Sequence, residues 1–590
     1  METKKITAKF YYVITVVIAL SLVIIVNIIA NLSDFRADFT EDQRYSLTAS
    51  TQDFLSSDSL LSERILFKIY LEGEELPAEA TRLKNAIKGK LDEFKYYAGK
   101  RVEYEFINPN TGTEADFKEL SEQLIAKGKG IRPITLNYRS EGKNQQIFLF
   151  PGAVVSYKGA ISGYVRFMEG GQLYLDQNFE NKVQRAITNV EYKLMEAIDK
   201  ATRRTKKTIG FLSGHRELKP QNTAAMRNIL EETYIIKDVA INGRINALDN
   251  LDGLIIADPQ NSFSDKDKFV IDQYLMQGGN LLLTYNPLYI NRDTLRKYGQ
   301  VNSIRKKTDI EKLTYDYGIK INDDLLVDGQ YGAFIVSPRS QPIPYYFYIK
   351  GQGTEHPIGS QLDPIMLFYA SSLQFVQTDN EITPSVLLTT SNNSKSFGIA
   401  PLVSLGMFRA FGEQPKFQDD INNPNNRQMV GAMVEGNFES AFKNRLVDAY
   451  KNNSDAKFYE KSIKPGKLCV FSSGDFFQNK YFDSVEVIEE NRYKYIPRYP
   501  NERIGEFDEV LLGGSKGNFD IIQNTLDYML GESALLAVRS RTIDLHPTDK
   551  IKVTEQAGFY KVINLIAPIL SVILLALTLI FIRIRKFARK

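Results

Sequence analysis

Between Lys206 and Pro287, short, mostly apolar runs alternate with stretches of helical spacing. The runs are Lys207 to Ser213, Tyr234 to Ile241, Leu251 to Ala257 and Asn280 to Tyr285. Runs this short, apolar on both faces and alternating with helices, predict a parallel sheet covered on both sides. Between them, about Gln221 to Glu232 is helix-compatible. Ser264 followed by Asp267 has the form of a capping box opening a helix to about Met276, which Gly278-Gly279 ends. The expected fold class is therefore α/β, doubly wound, and the rest of the chain is arranged around this layer.

Ahead of it the pattern is β-rich and mixed. Arg64 to Leu71 and Arg101 to Ile107 read as strands. Pro77 opens a helix with Leu83, Ile87, Leu91, Phe94 and Ala98 on one face, and Gly99 ends it. A short helix is expected through Leu55 and another over about Thr113 to Ala126. Strands are expected at Ile134 to Tyr138, Gln146 to Phe150 and Ala153 to Tyr157. The order β-α-β-α-β-β suits a thioredoxin-like layout over 31–200, but no Cys-x-x-Cys is present, so dithiol redox chemistry is excluded. Phe179 to Ile198 reads as one amphipathic connecting helix.

Beyond the central unit the periodicity loosens. Tyr315 to Gly318 and Ile321 to Asp328 read as a helix end and a short strand. Gly329 to about Thr378, rich in Pro, Tyr, Gly and Gln, reads as irregular with short strands. Ser385 to Thr390 is a strand, and Asp419 to Asn426 a surface loop. Met429 to Glu435 and Lys467 to Ser473 are expected to rejoin the central sheet. A second α/β body over 201–540 then carries an insertion at about 288–428. Asn518 to Met529 is a helix with Phe519, Ile522, Leu526 and Met529 on one face.

The two ends change the picture most. Phe10 to Ala30 and Val562 to Ile582 are uncharged runs of 21 residues, each long enough to cross a ~30 Å hydrocarbon core. Lys4, Lys5 and Lys9 precede the first; Arg583, Arg585, Lys586, Arg589 and Lys590 follow the second. Basic flanks at both outer ends place residues 1–9 and 583–590 in the cytoplasm and the large body, with the membrane-proximal segment 541–561, on the far side. The first run is longer than a signal-peptide core and has no small-x-small cleavage site after it, so it reads as an anchor.

Composition mostly excludes. With 74 basic and 71 acidic residues the formal charge is +3, which offers no support for a nucleic-acid partner. One cysteine, Cys469, forbids an intramolecular disulfide, and histidines at 215, 356 and 546 have no local metal-site spacing. No Gly-x-x-x-x-Gly-Lys-Ser/Thr occurs, so energy coupling through ATP must come from a partner. No cofactor is implied.

Candidate chemistry gathers where central strands end. Gly214-His215-Arg216-Glu217 follows the first strand, Asp258-Pro259 another and Ser472-Ser473-Gly474-Asp475 a third. Ligands of open α/β sheets bind outside the carboxyl ends of the strands. His215, Arg216, Glu217, Asp258 and Asp475 are therefore the candidate ligand-binding residues, and a His beside an acid also suits proton transfer. The plainer reading of the 214–217 turn is that its polar groups cap the Asn222 to Glu232 helix and pair with each other. Cys469 lies inside a strand without a Gly-x-Cys-x-Gly elbow and reads as a buried, inert thiol. Asp323, Asp324 and Asp328 lack cation-loop spacing and read as a solvated turn.

Taken together, Thr40 to Leu47, Tyr70 to Gly73, Phe106 to Pro109, Phe211 to His215 and Gly278 to Leu282, between two terminal spans, resemble the gliding-motility-associated ABC transporter auxiliary proteins of Bacteroidota, the GldG family. The resemblance covers nearly the whole chain. It implies an inner-membrane protein with a periplasmic body, often labelled substrate-binding, working with a permease and a separate ATPase and reaching envelope or peptidoglycan-linked partners. It also implies a central domain similar to class I glutamine amidotransferases, used without catalysis. The family's turn is expected to carry Gly after the His, where this chain has Arg216. Two other readings stay open: a periplasmic hydrolase or amidase using His215, Glu217 and Asp475, and a mechanical scaffold that transmits ATPase movement.

Overall fold

A computed structural model describes, apart from gaps of one to four residues, 46–334, 343–407, 416–444, 458–497, 517–531 and 556–587. It also describes residues 17, 18, 21, 25 and 538. Most of the Phe10 to Ala30 span, residues 31–45 and most of 541–561 lie outside the described residues. The chain separates into two compact units, Met1–Arg541 and Thr542–Lys590.

The first unit opens with α1 (Ala49–Ser56), β1 (Ile65–Ile69), α2 (Ala78–Ala98), β2 (Val102–Phe106) and α3 (Glu114–Ile125). Then come β3 (Ile134–Ser140), β4 (Lys143–Leu149), β5 (Gly152–Tyr157), β6 (Ala160–Arg166) and β7 (Gly171–Tyr174). β1 pairs parallel with β2 and antiparallel with β5, and β5 antiparallel with β6, giving the order β2-β1-β5-β6. β3 and β4, expected in that sheet, instead form a separate three-stranded sheet with β7. Leu83, Ile87, Leu91 and Phe94 of α2 are buried over Ile65, Phe67 and Ile69, as the 3.6-residue period requires.

The connecting helix expected over Phe179 to Ile198 is two helices, α4 (Gln177–Thr188) and α5 (Val190–Thr202). They break at Asn189, whose φ of −93° and ψ of 3° leave the helical region. Apolar spacing runs through the break because both helices bury the same face, so the pattern could not reveal it.

The central layer contains β8 (Thr208–Leu212), α6 (Ala224–Thr233), β9 (Ile235–Val239), β10 (Gly253–Ala257), α7 (Asp265–Met276) and β11 (Asn280–Thr284). These, with the strand Gly466–Phe471, pair in parallel in the order β9-β8-β10-β11-(466–471). In chain order that is second-first-third-fourth-fifth, a doubly wound arrangement whose winding reverses between β8 and β10.

Side chains on successive residues enter opposite cores, as pleating dictates. Ile255, Leu282 and Cys469 join one core with Met226 and Leu230 of α6 and Ile522 and Leu526 of α10 (Gly517–Met529). Leu254, Ile256, Leu281, Leu283 and Val470 join the other, with Val270, Ile271 and Leu275 of α7 and Leu313 of α9 (Ile310–Asp316). α8 (Arg292–Tyr298) lies between β11 and α9 in the chain.

The 288–428 segment is not set apart from this sheet. Ile343–Gly353 is an eleven-residue strand where short, irregular ones were expected. It pairs antiparallel with Glu381–Thr389, which pairs with Met429–Asn437, which in turn pairs with Gly466–Phe471. The result, among the described residues, is one mixed twelve-stranded sheet. Prolines and glycines loosened the sequence pattern here without interrupting the pairing.

Asp324 and Asp328 correct a second expectation, because neither is solvated. Asp324 accepts from the Ser372 amide at 2.8 Å and from the hydroxyls of Ser372 and Ser396 at 2.7 and 2.5 Å. Asp328, with no exposed surface, accepts from the Gln330 and Ser391 amides at 2.8 and 2.7 Å and from the Ser391 hydroxyl. Burial outweighs those bonds and raises the Asp328 carboxyl from 3.8 to about 6. The folded state thus holds this proton more tightly than the unfolded chain. Its contribution to stability falls as pH rises from about 4 to about 6, by about 3 kcal/mol. In Asp328→Asn this share of the pH slope is expected to vanish when unfolding is followed across that interval. An unchanged slope would refute the assignment.

The second unit contains α11 (Ala557–Phe587), of which Ala557–Ile582 is long and apolar enough to cross a membrane, with Pro568 inside it.

Candidate functional site

The site begins with the way β8 ends. Gly214 has a φ of 127° and Arg216 a φ of 56°, so the chain turns sharply and brings His215 back beneath the neighbouring loop. Arg216 is exposed and holds a left-handed conformation that costs a non-glycine residue about 1 kcal/mol or more. A glycine would hold that conformation without the cost.

The His215 carbonyl accepts from the amides of Gln260 and Asn261 at 2.9 Å each, tying the β8 turn to the loop after β10. Its ring stacks on Phe263, with centroids 3.7 Å apart and planes 9° from parallel. Nδ1 lies 3.2 Å from a Glu217 carboxylate oxygen, whose partner oxygen accepts from the His215 amide at 2.7 Å. Nε2 lies 3.3 Å from Asp267 in the first turn of α7. Burial works to lower the imidazole pKa, but the carboxylates of Glu217 and Asp267 outweigh it and the net shift is upward.

The pairing of His215 with Glu217 is as the sequence suggests; the capping is not. α6 starts at Ala224, and its N-cap Thr223 makes no side-chain capping bond. The helix actually engaged is α7. Ser264 caps it by accepting from the Asp267 amide at 3.1 Å, and Asp267 serves both that box and His215.

Asp258 ends β10, also in a left-handed conformation, with φ 47°. Its carboxylate accepts from Lys306 Nζ at 2.6 Å and from the Gln260 amide group at 2.8 Å. Lys306 also lies 5.3 Å from the Tyr285 ring centroid. Burial raises the Asp258 pKa, Lys306 opposes the rise, and nearby Asp475 adds to it. Asp475, after the strand Gly466–Phe471, pairs with Arg292 at 2.8 Å. The Arg292 guanidinium stands 5.3 Å from the ring centroids of both Phe368 and Tyr369. Between the acids, the Gly474 amide donates to Asn286, and a Cβ on Gly474 would collide with the Asp258 carboxylate, so only glycine fits.

The strand ends thus converge, but in two groups. His215, Glu217 and Asp267 form one; Asp258 and Asp475, each with its own cation, form the other, and Gln260 bonds to both. Asp475 is held by Arg292 rather than by His215. Lys306, Arg292, Asn286 and Phe263 carried no local signal in the sequence, and Asp267 showed only as part of a capping box. Cys469 has no exposed surface, and burial drives its thiol pKa far upward, consistent with an inert side chain. Among the described residues no group of three or more His, Cys, Asp or Glu is arranged to hold a metal ion.

Residues 206–502 match a family described as an ABC-type uncharacterized transport system, and residues 41–156 match a domain of unknown function. A protein of Borreliella burgdorferi, described as uncharacterized, is 22% identical over 535 residues, covering 89% of each chain. Among solved structures, an IFT52 N-terminal domain shares 15% identity at a TM-score of 0.30, covering 58% of this chain and all of that one. PurLQS from Thermotoga maritima shares 10% identity at a TM-score of 0.18, covering 55% of this chain and 99% of that one.

Proposed function

The chain belongs to the ABC-type uncharacterized transport system family, and from that membership we propose that it is a membrane-anchored, non-catalytic auxiliary subunit of an ABC transporter. The observation that carries this reading is the family match, which spans the whole central sheet over residues 206–502, just over half the chain. The apolar helix at Ala557–Ile582 supports membrane association.

The finer reading has two spans, with a permease and a separate ATPase as partners. It puts the bulk of the chain in the periplasm of an inner membrane, reaching envelope or peptidoglycan-linked partners. It rests on the second apolar run at Phe10 to Ala30 and on the basic residues at both outer ends. The link to gliding motility, or to secretion associated with it, rests on the resemblance to the GldG family. The parallel pair β1–β2 extended by antiparallel β5–β6 supports a thioredoxin-like first domain. The five-strand winding order supports an amidotransferase-like second one.

In the substrate-binding version the ligand lies at the strand-end crevice, against His215, Arg216, Glu217, Asp258 and Asp475. Its support is position, since the winding reverses between the strands that bear His215 and Asp258. A ligand entering there must displace an internal ion pair. The hydrolase reading weakens on the same geometry, because both ring nitrogens of His215 face carboxylates and Asp475 faces Arg292.

Affinity purification of the detergent-solubilised native complex is expected to recover a permease and an ATPase in fixed ratio with this chain. Recovery of the chain alone, or with envelope proteins only, would overturn the transporter reading.

A further inference from the structure

We propose that His215 is a proton-operated latch across the switch point of the sheet: protonated, it clasps the β8 turn to the first turn of α7, and deprotonated it lets them part. The proposal rests on what surrounds the ring. Glu217 faces Nδ1 from its own turn and Asp267 faces Nε2 from α7, at 3.2 and 3.3 Å. Phe263 covers one face of the ring from the loop after β10. These two carboxylates are the charged groups acting on the ring; Lys268, next along α7, is turned to Asp265 at 2.9 Å.

An imidazolium donates from both nitrogens and satisfies both acids. A neutral imidazole donates from only one, so its other nitrogen turns a lone pair toward a carboxylate. Glu217 is bound to the same turn through the His215 amide and moves with the ring. Asp267 belongs to a separate helix, where Ser264 already donates to it at 2.7 Å. The tie that gives way on deprotonation is therefore the one to α7. Releasing it loosens the first turn of α7 from the β8 turn, while the Gln260 and Asn261 amides stay bonded to the His215 carbonyl and hold the 258–261 loop in place.

The sign follows from the direction in which the pKa moves. A folded-state pKa above the ordinary 6.5 means that the clasp is fully formed below about pH 6.5 and lost as pH rises through the raised value. A body on the outer side of the membrane would then loosen this crevice in alkaline surroundings and close it in acidic ones. The latch does not depend on the transporter reading, which stands or falls by co-purification.

Hydrogen exchange of the full-length protein in detergent, read by mass spectrometry at about pH 5.5 and about pH 8.5 and corrected for intrinsic rates, tests it. Peptides covering 213–218 and 264–268 are expected to lose protection at the higher pH, as the clasp to α7 is released. In His215→Gln their protection should no longer depend on pH. In Glu217→Gln, which keeps the ring stacked on Phe263, the midpoint should move to lower pH. Flat protection in the wild type, or a slope that survives in His215→Gln, would overturn the latch. Should His215→Gln fail to fold, an unmoved midpoint in Glu217→Gln would do the same.

Discussion

Replacing Asp272 by alanine is expected to destabilise the full-length protein by about 3–5 kcal/mol, enough to unfold many domains. Asp272 lies in the middle of α7 with no exposed surface, and burial raises its pKa. One carboxylate oxygen accepts from the Tyr317 hydroxyl and from the Ala441 amide at 2.8 Å. The other accepts from the Ser440 hydroxyl and the Gln273 amide group, both at 2.7 Å. One side chain therefore joins α7, the residue following α9 and the 440–441 turn, three pieces distant in the chain. Alanine would strand the buried Tyr317 and Ser440 hydroxyls, each at about 1–3 kcal/mol before relaxation, and leave the half-buried Ala441 amide without its acceptor. Asp272→Asn keeps one acceptor in place and should cost about 1–2 kcal/mol. Thermal unfolding of both variants in detergent checks the order; a loss below about 1 kcal/mol for the alanine would refute the hub.

Lys306→Met is expected to cost a similar amount, about 3–5 kcal/mol, and most of that loss should return in Lys306→Met/Asp258→Asn. The side chains of Lys306 and Asp258 are 5% and 15% exposed, so their pairing is poorly screened. Without the ammonium, Asp258 keeps its burial and the neighbouring charge of Asp475, both of which disfavour its carboxylate. The double variant removes the stranded charge and leaves a neutral group that still accepts from Gln260. A double variant as unstable as the single one would mean that Lys306 acts by packing rather than by charge. The comparison bears on function as well, because an ion pair this costly to break is a demanding place for a ligand to enter.

How much was legible varies with the range of the interaction concerned. The Ser264–Asp267 capping box and the helix it opens were readable, because both partners sit three residues apart and the bond forms within one turn. The same carboxylate's second role, facing His215, was not, since 52 residues separate the two in the chain. Asp324 and Asp328 looked solvated because acids in a turn usually are. The serines that bond them, Ser372, Ser391 and Ser396, arrive from 48 to 72 residues further along the chain. The break at Asn189 was invisible because a kink that preserves the buried face leaves the apolar period intact.

By itself the sequence determined the α/β layer, its strand and helix boundaries to within a few residues, the inert setting of Cys469 and the apolar C-terminal helix. Each follows from periodicity, caps and local composition, which act over a few residues. Only the tertiary structure decided which polar groups meet: His215 with Asp267, Asp258 with Lys306, Asp475 with Arg292, and 343–353 as part of the same sheet. Those pairings depend on the order in which strands assemble. A buried charge must find whatever partner that order brings within reach, and nothing in its own neighbourhood of the chain specifies which one it will be.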